Sequence, residues 1–216
     1  MYFIKSPYLL RKLTGKTVIW EMPKGEKRIF LTFDDGPVPE VTPAVLKILS
    51  DFNVKASFFC VVENIQKYPY LLDRILEEGH TVGCHTFNHL NGWKTNNTDY
   101  VDNIRKCDAY IQTRLFRPPY GKITPSQINL LKDKYFTRLW TVLSGDFDSR
   151  INGEQCLKNV VMNTKDGSIV VFHDSIKAKE RLLYALPRFI DHFLKEGYKF
   201  ESIQYEELLK SDNHQK

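Results

Sequence analysis

The apolar positions of this 216-residue chain fall into short runs that alternate with longer amphipathic segments. The short runs are rich in Val, Ile, Leu and Phe and end in Gly, Pro, Asp or His, which is typical of buried strands. We expect strands at residues 28–33, 55–62, 80–84, 115–117, 136–143, 168–172 and 198–200. The amphipathic segments predict helices at residues 42–51, 68–78, 98–114, 124–132, 153–163 and 179–196. Thr42-Pro43 is typical of an N-cap followed by proline in the first helical turn.

Seven strand–helix units in alternation predict an α/β barrel of parallel strands with its chemistry at the strand ends. No segment rich in Gly, Ser or Pro divides the chain, so we expect one catalytic domain over residues 25–210. We assign residues 1–24 to a basic N-terminal arm that packs through Trp20 and Met22. Residues 211–216 are assigned to a disordered tail.

Two adjacent carboxylates, Asp34 and Asp35, follow the first apolar run and precede Gly36-Pro37. Burying either charge costs several kcal/mol unless it is paired or bound to a cation. A metal would resolve this, with one Asp as ligand and the other ionised beside it as a base. The simpler alternative is a pair of solvated Asp residues at a turn.

A second motif, His85-Thr86-Phe87-Asn88-His89, follows the strand predicted at 80–84. Histidines four positions apart point the same way on a helical turn and can share one ion. An Asp with two His, and positions left for water, is compatible with zinc, iron, cobalt, nickel or manganese.

Three more strand ends carry polar groups. Two prolines restrict the loop that carries Arg117 and Tyr120, and Asp146 follows the strand that ends near residue 143. His173-Asp174 ends a fully apolar strand, where a carboxylate can hold a histidine as a general acid. A surface Arg and a solvated His are the alternatives for these positions.

Taken in order, these five segments resemble the five motifs of the metal-dependent polysaccharide deacetylases, a large carbohydrate esterase family that removes acetyl groups from N-acetylated sugars. The resemblance runs from about residue 28 to about residue 200 and implies a distorted (β/α) barrel, commonly with seven strands. It implies that Asp34 is the catalytic base and that Arg117 orients it. The implied metal ligands are Asp35, His85 and His89.

The same resemblance implies that His173 is the general acid and that Asp146 tunes it. The backbone N–H of Tyr120 would help to hold the oxyanion, while Val171 would line the pocket for the acetyl methyl group. Phe147 stands where the family often has Trp, and Leu143 where it often has Asp. Both departures touch the substrate pocket and the surroundings of His173.

Zinc is the first candidate for the single divalent metal, with cobalt, nickel, manganese and iron as alternatives. The expected substrate is an N-acetylated glycan of chitooligosaccharide or peptidoglycan type. A hydrolase of the same fold acting on a cyclic amide remains an alternative, as does a non-catalytic glycan-binding module. The sequence leaves the oligomeric state open.

The net charge of +5 comes from scattered Lys and Arg side chains. Without a basic stripe interleaved with aromatics, nucleic acid is not expected as a partner. We read no secretory signal or transmembrane run, which favours a cytoplasmic location over a periplasmic or cell-surface one. The four cysteines form no CxxC pair and are expected as free thiols, with Cys84 packed in the core rather than serving as a fourth ligand.

Overall fold

The computed structural model describes residues 2–7, 11, 14 and 18–204. The proposed tail at 211–216 lies outside these residues. Nine strands are described, and they form one sheet. They are β1 (Val18–Ile19), β2 (Arg28–Asp34), β3 (Ser57–Cys60), β4 (Thr81–Cys84), β5 (Leu115–Phe116), β6 (Phe136–Arg138), β7 (Val142–Leu143), β8 (Ser168–His173) and β9 (Lys199–Glu201).

The sheet curls into an open barrel, as the strand–helix alternation predicts. Its strand order is β1-β6-β5-β4-β3-β2-β8-β7, and β9 pairs with the first half of β2. All pairings between these named strands are parallel. Since parallel strands share a direction, their carboxyl ends meet at one end of the barrel.

Seven α-helices are described around the sheet. They are α1 (Thr42–Asp51), α2 (Val62–Lys67), α3 (Pro69–Glu77), α4 (Asn97–Arg105), α5 (Pro125–Leu131), α6 (Gly153–Asn163) and α7 (Lys179–Lys195). Short 3₁₀ turns cover Gly92–Lys94, Lys106–Ala109 and Pro119–Gly121. No helix among the described residues is long and apolar enough to span a bilayer.

Strand β2 shows how the alternation of side chains places the core. Ile29, Leu31 and Phe33 join the large apolar cluster beneath the helices. Phe30 belongs instead to a smaller cluster within the barrel, which includes Phe59 and Ile169 of the neighbouring strands. Asp34 ends the same strand at the barrel's carboxyl end, where the smaller cluster gives way to polar groups.

The strand predicted at residues 136–143 is in fact two strands. β6 pairs with β1 and β5, whereas β7 pairs with β8. The chain leaves the sheet between them, and the carbonyls of Arg138 and Leu139 turn to accept hydrogen bonds from Arg117. A buried guanidinium therefore interrupts the strand.

The helix predicted at 98–114 is also too long, because α4 ends at Arg105 and a 3₁₀ turn follows. Thr42 was expected to be an N-cap. Instead the helix begins at Thr42 with no side-chain cap, and its hydroxyl donates to the carboxylate of Asp174.

The described part of the N-terminal arm belongs to the sheet. Val18–Ile19 forms β1, and Lys5 makes an isolated antiparallel bridge to Val142 of β7. Trp20 and Met22 are buried, as expected. The arm therefore spans the interruption between β6 and β7.

Candidate active site

Three side chains that could bind a metal converge at the carboxyl end of the barrel. One ligand atom from each of Asp35, His85 and His89 lies within 4.8 Å of the others. The Asp35 Oδ1 is 3.1 Å from the Nε2 of His89 and 3.7 Å from the Nε2 of His85. The three predicted ligands thus face one point.

Backbone conformation, rather than a helix, aims these ligands. Asp35, Thr86 and His89 have φ angles of 79°, 65° and 58°, in the left-handed region that non-glycine residues rarely adopt. The expectation of a helical turn at 85–89 was wrong, because Thr86 breaks the helical conformation directly after His85. The Thr86 hydroxyl then accepts a hydrogen bond from the backbone N–H of Leu90, which closes the loop.

The chemical state of the ligands suits a divalent metal. The Nδ1 of His85 lies 2.8 Å from the carbonyl oxygen of Arg117, which leaves its Nε2 for the ion. Burial lowers the pKa of His85 to about 4, so the imidazole is neutral, as a ligand must be. Burial opposes ionisation of Asp35, but the hydrogen bond to His89 and the charge of the nearby His173 bring its pKa below the ordinary value. One carboxylate and two imidazoles form a ligand set that fits zinc and related divalent ions.

The second carboxylate, Asp34, is paired with a buried arginine. Asp34 is 3% exposed and Arg117 is fully buried. The Arg117 Nη1 donates to Asp34 Oδ1 at 2.6 Å and to the Thr32 hydroxyl at 2.9 Å. The guanidinium also lies over the ring of Phe59, 3.9 Å from its centroid. These contacts hold Asp34 against a buried positive charge in a charge-assisted hydrogen bond.

His173 is held by a buried carboxylate on the other side of the site. Asp146 is fully buried, and its Oδ1 lies 2.8 Å from the Nδ1 of His173. Its Oδ2 accepts the backbone N–H of His173 at 2.7 Å. Burial alone would lower the pKa of His173, but the charge and hydrogen bond of Asp146 raise it to about 9. His173 is therefore protonated at neutral pH, with Nε2 as the ring nitrogen that Asp146 does not engage.

Strand register brings the base and the acid side by side. Asp34 and His173 are partners in the parallel pairing of β2 with β8. Val171 lies two residues earlier on β8, is fully buried, and is the register partner of Thr32. The ring of Phe147 lies edge-on to His173, with centroids 5.1 Å apart.

Tyr120 stands on the metal-ligand side. It has a φ of 60° within the 3₁₀ turn, and its ring is 60% exposed. The ring centroid lies 4.7 Å from that of His89. The structure thus gathers all ten predicted site residues around this end of the barrel.

Buried polar groups outside the predicted set support it. Asp174 is buried, and its carboxylate accepts the backbone N–H of Gly36 at 3.1 Å and the Thr42 hydroxyl at 2.6 Å. Burial raises the pKa of Asp174 to about 8. Its position next to His173 was the only signal, and Thr42 gave none, because it was read as a helix cap.

A second support holds Asp146. Its backbone N–H donates to the Ser144 hydroxyl, and Arg181 donates from Nε to its carbonyl oxygen at 2.6 Å. The four cysteines are free and buried, as expected. Cys84 lies in the helix-side cluster, which agrees with a packed thiol.

An open parallel barrel that places an Asp–His–His group able to bind a metal beside an Asp–Arg pair and a His–Asp pair is typical of metal-dependent hydrolases. A family model described as polysaccharide deacetylase matches residues 21–138. The chain therefore belongs to the polysaccharide deacetylase family, and the predicted class, a metal-dependent glycan N-deacetylase, is confirmed.

Several relatives support this membership. The chain is 36% identical to a peptidoglycan-N-acetylglucosamine deacetylase of Bacillus cereus over 94% of this chain and 98% of that protein. It is 31% identical to a chitooligosaccharide deacetylase of Azorhizobium caulinodans over 74% of this chain and 80% of that one. It also matches PgdA of Listeria monocytogenes at 34% identity, but spans only 43% of that longer protein.

Solved structures give the same fold. The Bc1960 peptidoglycan N-acetylglucosamine deacetylase superposes with a TM-score of 0.84 at 29% identity, covering 92% of this chain and 95% of that one. A Bacillus anthracis protein described as a pseudoenzyme of the same family superposes with a TM-score of 0.80 at 25% identity, covering 90% of this chain and 69% of that one. The fold alone therefore does not guarantee activity, and the residues of the site must decide it.

Proposed function

We propose that this protein removes the acetyl group from N-acetylglucosamine units of a peptidoglycan-like glycan, with zinc as the first candidate metal. One observation carries the proposal. The Asp34–Arg117 pair, the His173–Asp146 pair and a three-residue metal-binding group meet at one end of the barrel. A carboxylate with two imidazoles is a ligand set that zinc accepts in catalytic sites.

The residues divide the reaction between two sides of the substrate. A divalent ion held by Asp35, His85 and His89 would supply Lewis-acid activation of the acetyl carbonyl and of the attacking water. Asp34, paired with Arg117, accepts the proton of that water as it attacks the acetyl carbon.

His173 completes the cleavage from the opposite side. It gives its Nε2 proton to the sugar nitrogen as the carbon–nitrogen bond breaks, so the products are acetate and a free amine. Without that proton an amine anion would have to leave, which is prohibitive near neutral pH. The backbone N–H of Tyr120 is proposed to stabilise the negative charge on the acetyl oxygen.

The apolar groups near His173 are proposed to contact the substrate. Val171 and Phe147 would line the space taken up by the acetyl methyl group and the sugar ring. Phe147 has an apolar edge without the N–H that a Trp would offer, so this wall of the pocket would discriminate by shape rather than by hydrogen bonding.

The test is acetate release from N-acetylglucosamine oligomers and peptidoglycan fragments. The metal-free protein would be reloaded separately with zinc, cobalt, nickel or manganese. We expect metal-dependent release, and Asp34→Asn and His173→Ala should each keep the metal but lose about 10²–10⁴-fold in rate. Near wild-type rates in either variant would refute the assigned roles.

The same experiment separates the alternatives. If no acetate is released from any acetylated glycan while cyclic amides are hydrolysed, the protein is instead the cyclic-amide hydrolase of the same fold. Glycan binding without acetate release under any metal would indicate a binding module. The cytoplasmic location expected from the sequence stays a prediction, which fractionation of cells producing the native protein would test.

A further inference from the structure

A pair of exposed aromatic rings stands beside the metal-binding group. Trp93 is 65% exposed and Tyr120 is 60% exposed. The ammonium group of Lys122 lies 5.4 Å from the centroid of the Trp93 ring and 5.9 Å from that of Tyr120. We call these three residues the Trp93 platform. Exposed aromatic rings grouped at the edge of a polar site are typical of a ligand-binding surface, unlike apolar side chains that are exposed singly.

The backbone around Trp93 is held in place although its ring is exposed. The side-chain oxygen of Asn91 accepts the backbone N–H of Trp93 at 3.0 Å. The indole Nε1–H donates to the carbonyl oxygen of Ile123 at 3.2 Å. One hydrogen bond thus fixes the backbone of Trp93 and the other orients its ring, which lowers the entropy cost of binding a ligand against it.

A buried glutamine ties the two halves of the platform together. The Gln127 side chain is fully buried and donates to the carbonyl oxygens of Gly92 and Thr95. Gly92 in turn donates to the carbonyl oxygen of Lys122 at 3.2 Å. A Cβ at Gly92 would lie 2.5 Å from that same oxygen, so only glycine permits this approach.

The platform is continuous with the proposed catalytic centre. The ring centroids of Tyr120 and His89 are 4.7 Å apart. The Nζ of Lys122 lies 5.9 Å from the centroid of the Tyr120 ring and 5.4 Å from that of the Trp93 ring. Each step is comparable to the length of a sugar ring. A glycan whose reacting unit lies at the metal would therefore reach the platform with its neighbouring units.

We propose that the Trp93 platform is a subsite that binds the sugar units next to the reacting N-acetylglucosamine. The aromatic faces stack on the apolar faces of the sugar rings, and Lys122 pairs with an acidic substituent of the strand. This inference rests on the proposed deacetylase function for the identity of its ligand. It predicts a preference for longer chains and, among these, for chains that carry carboxylates.

The first experiment compares turnover on the N-acetylglucosamine dimer and hexamer. Trp93→Ala should lower the hexamer-to-dimer ratio of kcat/KM by about tenfold, which corresponds to one lost stacking contact. Trp93→Phe keeps an aromatic ring but loses the hydrogen bond to the Ile123 carbonyl oxygen. Its hexamer-to-dimer ratio of kcat/KM should stay close to that of the wild type. Tyr70→Ala, which removes a 58% exposed aromatic on helix α3, is the matched control and should leave the ratio unchanged.

A binding measurement separates this inference from the proposed function. Calorimetric titration of the zinc-loaded protein with the hexamer needs no turnover. Weaker binding in Trp93→Ala supports the subsite even if no acetate is released, in which case the proposed function alone fails. Unchanged hexamer binding in Trp93→Ala, or an equal loss in Tyr70→Ala, overturns the subsite even if the enzyme is active.

The role of Lys122 has its own readout. Lys122→Gln should weaken binding of carboxylate-bearing peptidoglycan fragments several-fold more than binding of the neutral hexamer. The difference should shrink as salt is added, because exposed charges are screened. An equal effect on both ligands would refute the charge preference.

Discussion

Replacing Asp146 by Asn tests whether His173 is the general acid. The substitution keeps the shape of the side chain but removes the buried negative charge 2.8 Å from the His173 Nδ1. Asp146 makes the largest contribution that opposes burial, ahead of the charges of Asp35 and Asp34, so without it the pKa of His173 should fall from about 9 toward its ordinary value of 6.5. The difference exceeds two pKa units, or about 3 kcal/mol.

The consequence for the rate follows from the fraction of protonated His173. At pH 7 that fraction is about 99% for a pKa of 9 and at most about a quarter for a pKa of 6.5. A general acid must be protonated, so kcat falls as pH rises through its pKa. A bound cation lowers the pKa in both proteins by offsetting Asp34 and Asp35, which leaves the difference caused by Asp146.

The assay is kcat for acetate release from the N-acetylglucosamine hexamer at saturating metal, between about pH 5 and pH 10. In Asp146→Asn the pH at which kcat falls on the basic side of the profile should be lower by about two pH units. Asp148→Asn is the matched control, because Asp148 contacts Tyr2 and Arg150 rather than His173. A basic limb that stays in place, with Asp146→Asn folded and metal-loaded, would refute the acid assignment.

Three further changes probe the framework of the site. Arg117→Met should lower the free energy of unfolding, measured in urea, by about 3–5 kcal/mol, because it leaves Asp34 buried without its partner. A decrease below about 1 kcal/mol would contradict this. His85→Ala should weaken zinc binding at least about 100-fold in calorimetric titration, because loss of a group that merely hydrogen-bonds to a ligand already costs about 10–100-fold. An unchanged zinc affinity would show that His85 is not a ligand. Gly36→Ala would place a Cβ 2.0 Å from the Asp174 carboxylate. It should therefore lower the free energy of unfolding by about 1–3 kcal/mol in thermal unfolding and reduce activity. An unchanged melting temperature would contradict the contact.

The sequence predicted the candidate site better than it predicted its supports. Asp34, Asp146 and His173 each follow an apolar strand, and parallel strands bring such ends together whatever the details of the loops. That argument needs only strand positions and order. It therefore predicts that these three side chains lie near one another, and the structure has His173 in register with Asp34 and hydrogen-bonded to Asp146.

The parts that sequence reasoning missed depend on contacts between distant segments. The break after Arg138 exists because Arg117 draws two backbone carbonyls toward its guanidinium. The turn at His85–His89 depends on Thr86 holding a left-handed conformation that is closed by Leu90. Local patterns favour a continuous strand and a helical turn at these places, and tertiary contacts override both.

The two adjacent carboxylates can do different work because their surroundings differ. Asp34 continues β2, in register with His173, and is neutralised by a guanidinium that also bonds Thr32. Asp35 has left the strand at a positive φ and faces the two imidazoles instead. Each carboxylate thus has its own partners, which offset the repulsion expected of neighbouring aspartates. For Asp34 to ligate the metal and Asp35 to serve as the base, the left-handed turn would have to fall at Asp34. That residue is held in the extended strand by its pairing with β8 and by Arg117. The strand end itself therefore determines which aspartate is free to ligate a metal and which is held as a base.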